Sequence, residues 1–244
     1  MQEEINIQVN NKKIRGILEN SKSDKLMILV PGFTGDMGGP DNIFEELSKK
    51  LQDKMFAVLR FNFRGTPPSD MDFQDMTVET ETEDLKAVIN YAKSKGYNQI
   101  GILGESMGGS IVATAIITAF KVVILWYPAF DFKDTSFKNY LTEESQRQLK
   151  DKGFILESGF KIGKQFVNDI PDVKLYQKVK EIKCPVLFLH GDKDSDVPYL
   201  QSQKAFQLAS EQKKIHIIKG AEHCFKNEQE KVIDLTLQFL EQHF

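Results

Sequence analysis

The stretch Gly101-Ile102-Leu103-Gly104-Glu105-Ser106-Met107-Gly108-Gly109 puts a serine at the apex of a turn. An apolar run rises into Gly104, and a small, apolar run from Ser110 to Ala119 reads as helix. Strand, sharp turn and helix in that order expose the serine oxygen. Glycine is needed on both sides because a side chain there would meet the neighbouring strand and helix. A serine hydroxyl is a poor nucleophile until a base stands beside it. The chemistry on offer is acyl transfer through a covalent intermediate. The plain alternative is a glycine-rich turn that only packs, so the rest of the chain must decide.

A serine nucleophile needs a base, and the base needs an orienting acid. The chain has four histidines. His216 lies within an apolar strand pattern, and His243 is the penultimate residue. His190 ends a strand, where its ring would tie down the following loop. His223 follows the last strand in a loop before a helix, on the same edge as Ser106, which makes it the general base. The acid is open at this point: Asp192, Asp194 and Asp196 share one loop, and Asp131 follows another strand. Alternating loop positions cannot all face one imidazole, so the remaining aspartates form turns or caps. The loop Gly32-Phe33-Thr34-Gly35 offers backbone N–H groups to a developing oxyanion.

These residues have to be brought together by the elements between them. The 244 residues suit one large domain, and 41% hydrophobic with 27% charged residues is ordinary globular composition. A net charge of −3 excludes the basic field of a nucleic-acid binder. No signal peptide and no apolar run near membrane length is visible, so a cytoplasmic location is expected. Ile5–Val9 and Ile14–Leu18 alternate around Asn10-Asn11-Lys12 and predict a hairpin. Apolar runs predict buried strands over residues 26–30 and 121–127, and further strands are predicted over 56–63, 100–103, 185–189 and 215–218. Helical spacing falls over residues 41–51, with Asp41 as N-cap, and over 80–95, 198–209 and 228–243. The alternation predicts an α/β fold with a mostly parallel sheet, helices on both faces and ligands at the carboxyl ends of its strands.

With these parts in place, the chain resembles the α/β-hydrolase superfamily over essentially its full length. Within it the sequence is similar to small bacterial-type carboxylesterases, the cinnamoyl (feruloyl) esterases and the monoacylglycerol-lipase-like enzymes. The resemblance is carried by Pro31-Gly32-Phe33-Thr34-Gly35, Arg60 to Gly65, Gly104 to Gly109, His190-Gly191-Asp192-Lys193-Asp194 with Val197-Pro198, and Gly220 to Phe225. The family pattern His-Gly-x-x-Asp-x-x-Val-Pro implies Asp194 as the acid. It also implies an oxyanion hole from the N–H groups of Phe33 and Met107, and hydrolysis through an acyl-enzyme on Ser106 with no cofactor or metal. Two positions depart from the pattern: Pro31 stands where the family has histidine, and Lys161 where a feruloyl esterase would place tyrosine.

Residues 131–183 lie between two core strands and are polar and charged, as expected of a cap, leaving 1–130 and 184–244 as the hydrolase core. A helix over 142–150, a hairpin around Glu157-Ser158-Gly159 and a helical turn over 165–169 are expected in the cap. Its aromatic residues, among them Phe137, Tyr140, Phe154, Phe160 and Phe166, either line a pocket or join cap to core. Trp126, Phe130, Phe160 and Lys161 are the candidate pocket residues. Cys184 reads as a packed thiol, and Cys224 is set aside as a nucleophile although it adjoins His223. The expected partner is a small-molecule ester, and the composition leaves room for a homodimer. The same triad would serve a carboxylesterase, thioesterase, acyltransferase or peptidase, and a pocket alone would serve a non-catalytic binder.

Overall fold

The computed structural model describes residues 2–20, 22–115, 120–210 and 212–244. The edge of the main sheet is a hairpin, β1 (Gln2–Val9) and β2 (Lys12–Glu19). Its two-residue turn works because Asn10 and Asn11 both take positive φ, 45° and 60°. The other strands are β3 (Lys25–Val30), β4 (Ala57–Asn62), β5 (Gln99–Glu105), β6 (Val123–Trp126), β9 (Val186–Gly191) and β10 (Lys213–Ile218). Between β6 and β9 lies a separate antiparallel hairpin, β7 (Phe154–Glu157) and β8 (Phe160–Gly163).

The eight strands of the main sheet run in the order β1-β2-β4-β3-β5-β6-β9-β10. β2 is antiparallel to both β1 and β4, and every pair from β4 to β10 is parallel. Six parallel strands therefore end on one edge, and β5, which carries the serine turn, lies between β3 and β6. Helices α1 (Ile43–Asp53) and α7 (Gln229–His243) cover one face, where Phe44, Leu47, Phe239 and Leu240 pack on Leu29, Val58 and Trp126. On the other face lie α2 (Val78–Ser94), α3 (Met107–Ala115) and α6 (Leu200–Leu208), with Leu85, Ile89, Ile111 and Ala205 on Ile28, Leu59 and Phe188. The end of the helix expected after Ser106, residues 116–119, lies outside the described residues. No helix among the described residues is long and apolar enough to cross a membrane.

Asp41 is not the N-cap of α1. Asp41 and Asn42 both take positive φ, Asn42 holds the cap position, and neither side chain caps the helix. α2 starts two residues earlier than its apolar spacing suggests, because Thr77 and Thr80 form a reciprocal capping box.

The segment between β6 and β9 builds its own core. It contains α4 (Glu143–Lys152), the β7–β8 hairpin and α5 (Lys164–Asp169). Phe132, Phe137, Tyr140, Ile162 and Phe166 cluster with Met107 of the serine turn and Val197 of the loop after β9. Phe33 is driven into this cluster: its ring lies 4.9 Å from Phe137, 5.1 Å from Phe166 and 5.5 Å from Phe73. The last part of the segment, Tyr176–Glu181, joins the main core through Tyr176 and Val179.

Candidate active site

Ser106 sits between β5 and α3 with φ of 50°, a left-handed conformation that costs a non-glycine residue energy and is held by its surroundings. Its N–H donates to the carbonyl of Trp126 at 2.9 Å, and its carbonyl accepts from the N–H of Gly109. A Cβ on Gly104 would lie 2.7 Å from the Gly108 carbonyl oxygen, and one on Gly108 would clash with that of Pro31. Both positions exclude a side chain, which is why strand and helix can meet at so sharp an angle. The loop after β3 is equally close: a Cβ on Gly32 would lie 3.2 Å from Ser106 Cβ. Neither the Phe33 nor the Met107 N–H donates to an acceptor among the described residues.

The loop after β9 sorts its aspartates into three roles. Asp192 Oδ1 accepts from the N–H of Gly220 at 2.6 Å and braces the loop after β10. The Asp194 side chain is fully buried; its Oδ1 accepts from the N–H groups of Asp196 and Val197, and its Oδ2 lies 2.7 Å from His223 Nδ1. Asp196 faces the cavity beside Ser106. His190 is buried behind them, with Nε2 2.9 Å from the Val197 carbonyl and 3.2 Å from Asp194 Oδ2. Two acceptors at Nε2 place the proton there and leave Nδ1 to accept from Ser202 at 2.7 Å. His190 thus ties down the acid loop, as its place at a strand end predicts.

His223 lies in the 3-10 turn after β10, its side chain 17% exposed. Asp194 holds Nδ1, so Nε2 is left for the cavity that His223 and Ser106 both line. Burial acts to lower the imidazole pKa, but the hydrogen bond and charge of Asp194, then the charges of Asp196 and Glu105, raise it above its usual value. Burial acts to raise the Asp194 carboxyl, and hydrogen bonds from His190, His223 and the Val197 N–H outweigh it, holding it well below the usual carboxylate range. Cys224 has no such activation: burial, then the charges of Glu105, Asp194 and Asp196, push its thiol up to about 12.

Two cavities flank Ser106. One, of about 350 Å³, is lined by the Gly32–Asp36 loop, Gly39, Pro40, Glu105, His223 and Cys224. The other, of about 210 Å³, is walled by Phe33, Phe137, Tyr140 and Val197, with Thr135, Ser136, Glu157, Ser158 and Asp196 as polar groups. Of the aromatic residues expected in a pocket, Phe137 and Tyr140 are the ones that reach it.

The four singled out as pocket residues do not line either cavity. Trp126 is fully buried on the α1–α7 face, packs 6.0 Å from Phe44 and donates its indole N–H to Thr236. Phe130 is buried in the core on the opposite face, 5.8 Å from Tyr176. Phe160 packs on Phe73 at 4.7 Å, and Lys161 is exposed with its ammonium 5.0 Å from the Phe154 ring.

Glu105 and Tyr127 belong to the site and escape the motif reading. Glu105 is 3% exposed, accepts from the Gly32 N–H at 2.9 Å with Oε1 and from the Tyr127 hydroxyl with Oε2. Tyr127 packs its ring 4.5 Å from that of His223. The available signal was a carboxylate at the end of an otherwise apolar strand.

Parallel sheet, serine turn, acid loop after β9 and histidine loop after β10 together define an α/β-hydrolase, and the chain is a hydrolase of that class. The family model of the prolyl oligopeptidase family (Peptidase_S9) matches residues 44–244, and the chain belongs to that family. Among curated proteins it is 27% identical over 211 residues to the mitochondrial palmitoyl-protein thioesterase ABHD10 of Mus musculus, covering 82% of this chain and 69% of that protein. The solved structure of mouse ABHD10 aligns with a TM-score of 0.76 at 22% identity over 98% of this chain and 99% of that one. The ferulic-acid-bound structure of Est1E from Butyrivibrio proteoclasticus aligns with a TM-score of 0.81 at 24% identity, covering 98% of each chain.

Proposed function

We propose that the protein hydrolyses carboxylic esters or thioesters of small to medium acyl groups through an acyl-enzyme on Ser106. The reading is carried by one observation: His223, whose Nδ1 lies 2.7 Å from the buried Asp194, lines the same two cavities as Ser106. His223 takes the serine proton as Ser106 attacks the carbonyl carbon. The oxyanion is received by the N–H groups of Phe33 and Met107, at a stabilisation of roughly 3–4 kcal/mol per donor in comparable sites. His223 then returns the proton to the leaving oxygen or sulfur. A water deprotonated by the same imidazole releases the acid. Asp194 keeps the imidazole oriented and stabilises the imidazolium.

The residues 131–183 act as the cap that sets acyl size. The cavity of about 210 Å³ beneath Phe137 and Tyr140 falls below the roughly 300–1,000 Å³ usual for drug-sized ligands, which favours short acyl groups. Est1E binds ferulic acid and ABHD10 is a palmitoyl-protein thioesterase, so both a phenolic ester and a thioester belong in the substrate panel. The test is labelling with a fluorophosphonate probe followed by mapping of the adduct. The label is expected on Ser106 and absent from Ser106→Ala; absence of label at pH 8, or label that persists in the alanine variant, sinks the reading. A chain-length series of p-nitrophenyl esters, matched S-acyl thioesters and methyl ferulate then ranks the acyl and leaving groups, with the short aliphatic esters expected fastest.

A further inference from the structure

We propose that Glu105 is a positioning residue that holds the oxyanion loop and the general base in register with the Ser106 turn; this rests on the acyl-transfer reading above. The two oxygens of one buried carboxylate accept from two different elements. Oε1 accepts from the N–H of Gly32 at 2.9 Å, the residue before the proposed oxyanion donor Phe33. Oε2 accepts from the hydroxyl of Tyr127, whose ring lies 4.5 Å from the His223 ring. The backbone of Glu105 leads directly into Ser106. Nucleophile, oxyanion loop and base therefore share a single anchor.

The surroundings are built around that anchor. A Cβ on Gly32 would lie 3.3 Å from Glu105 Oε1 and one on Gly35 3.4 Å from it, so the loop folds closely over the carboxylate. Tyr127 is fully buried and takes a positive φ of 37°, a backbone conformation a tyrosine adopts only under constraint. Packing alone has no use for a carboxylate here, because a buried anion costs free energy unless it is bonded on both sides. The arrangement converts that anion into a two-armed brace. Misplacing a reacting group by about 1 Å is enough to cost on the order of a hundredfold in rate.

The test compares three variants in the full chain, with kcat expressed per fluorophosphonate-titrated site. Glu105→Leu removes both arms, and kcat is expected to fall on the order of 10- to 100-fold with KM held within about twofold. Glu105→Gln is expected to restore most of that loss, since its amide oxygen accepts from Gly32 while its NH₂ donates to the Tyr127 oxygen. Both variants are expected to lower the pH midpoint of the acid limb. Asp194, Asp196 and Glu105 are the carboxylates facing His223, beside the Tyr127 hydroxyl and the Cys224 thiol, and each variant removes one of the three charges. A Glu105→Leu protein with kcat within about twofold of the parent, or a loss that glutamine does not rescue, overturns the proposal. Should the leucine variant fail to fold, Tyr127→Phe decides: it removes the histidine arm alone and is expected to lower kcat about fivefold, and an unchanged kcat overturns the proposal. Failure of the parent protein to label at Ser106 would instead strike the acyl-transfer reading itself.

Discussion

At the scale of single residues, the proposed acid Asp194 and the proposed base His223 give the pH dependence a definite sign. A general base works only when neutral, and the surrounding carboxylates raise the His223 pKa above its ordinary value of about 6.5. The kcat/KM of a neutral ester is therefore expected to rise with pH through a midpoint above about 6.5, measured as a pH–rate profile. Asp194→Asn removes the largest charge contribution and is expected to lower that midpoint while cutting kcat by on the order of 10⁴. The same pair acts on stability in two directions. The raised His223 contributes below its unfolded value of about 6.5, and that contribution is lost as pH rises through the folded value. The depressed Asp194 contributes above about 3.9, and its contribution is lost as pH falls towards its folded value. Which of three loop aspartates serves the histidine was not legible in local chemistry. Asp192, Asp194 and Asp196 have the same side chain and the same loop, and their roles divide only through what the next loop brings to each.

At the scale of elements, the strands were legible because a sheet covered on both faces forces continuous apolar runs. The same property hid the face each side chain takes. With no polar–apolar alternation along 121–127, nothing in the sequence says that Ile124 and Trp126 face α1 and α7 while Val123 and Leu125 face the other helices. Trp126 and Phe130 were thus expected at the pocket and lie in opposite cores. The insertion's helix and hairpin were legible from a polar run and the turn at Glu157-Ser158-Gly159, but neither the Thr142 cap nor which aromatic ring reaches Ser106 was. The loop after β4 is held by an element-level device that follows from burial. Arg64 and Asp84 are both buried: the Arg64 N–H donates to Asp84 Oδ2 at 2.8 Å, its guanidinium Nε to Oδ1, and Nη2 reaches Glu83 at 3.1 Å. Arg64→Ala leaves the Asp84 carboxylate with the residue-64 backbone N–H but no countercharge in the interior, and is expected to cost about 3–5 kcal/mol in urea unfolding. An Arg64→Met, Asp84→Asn double variant is expected to recover most of that loss, because the amide oxygen still accepts from the residue-64 N–H and no charge is stranded. A single variant within about 1 kcal/mol of the parent would contradict the assignment.

At the scale of the whole molecule, a net charge of −3 says little, but its placement says more. The two cavities beside Ser106 are lined by Asp36, Glu105, Glu157 and Asp196 and, among the described residues, by no lysine or arginine. The field reaches the chemistry: Asp196 acts on His223, and burial first, then the charges of Glu157 and Asp196, push the Tyr140 hydroxyl well above its ordinary value. At pH above the His223 midpoint, an anionic acyl group entering either cavity meets like charge, at about 1 kcal/mol for each exposed pair near 4 Å. A p-nitrophenyl ester bearing a terminal carboxylate is expected to show kcat/KM roughly tenfold below its neutral isostere at low salt. The gap is expected to narrow as salt screens the rim carboxylates Asp36 and Glu157, and to narrow in Glu157→Gln and Asp196→Asn. Paired kinetics at two ionic strengths check this. An anionic ester hydrolysed as fast as the neutral one at low salt would mean that substrate enters by a route these carboxylates do not face.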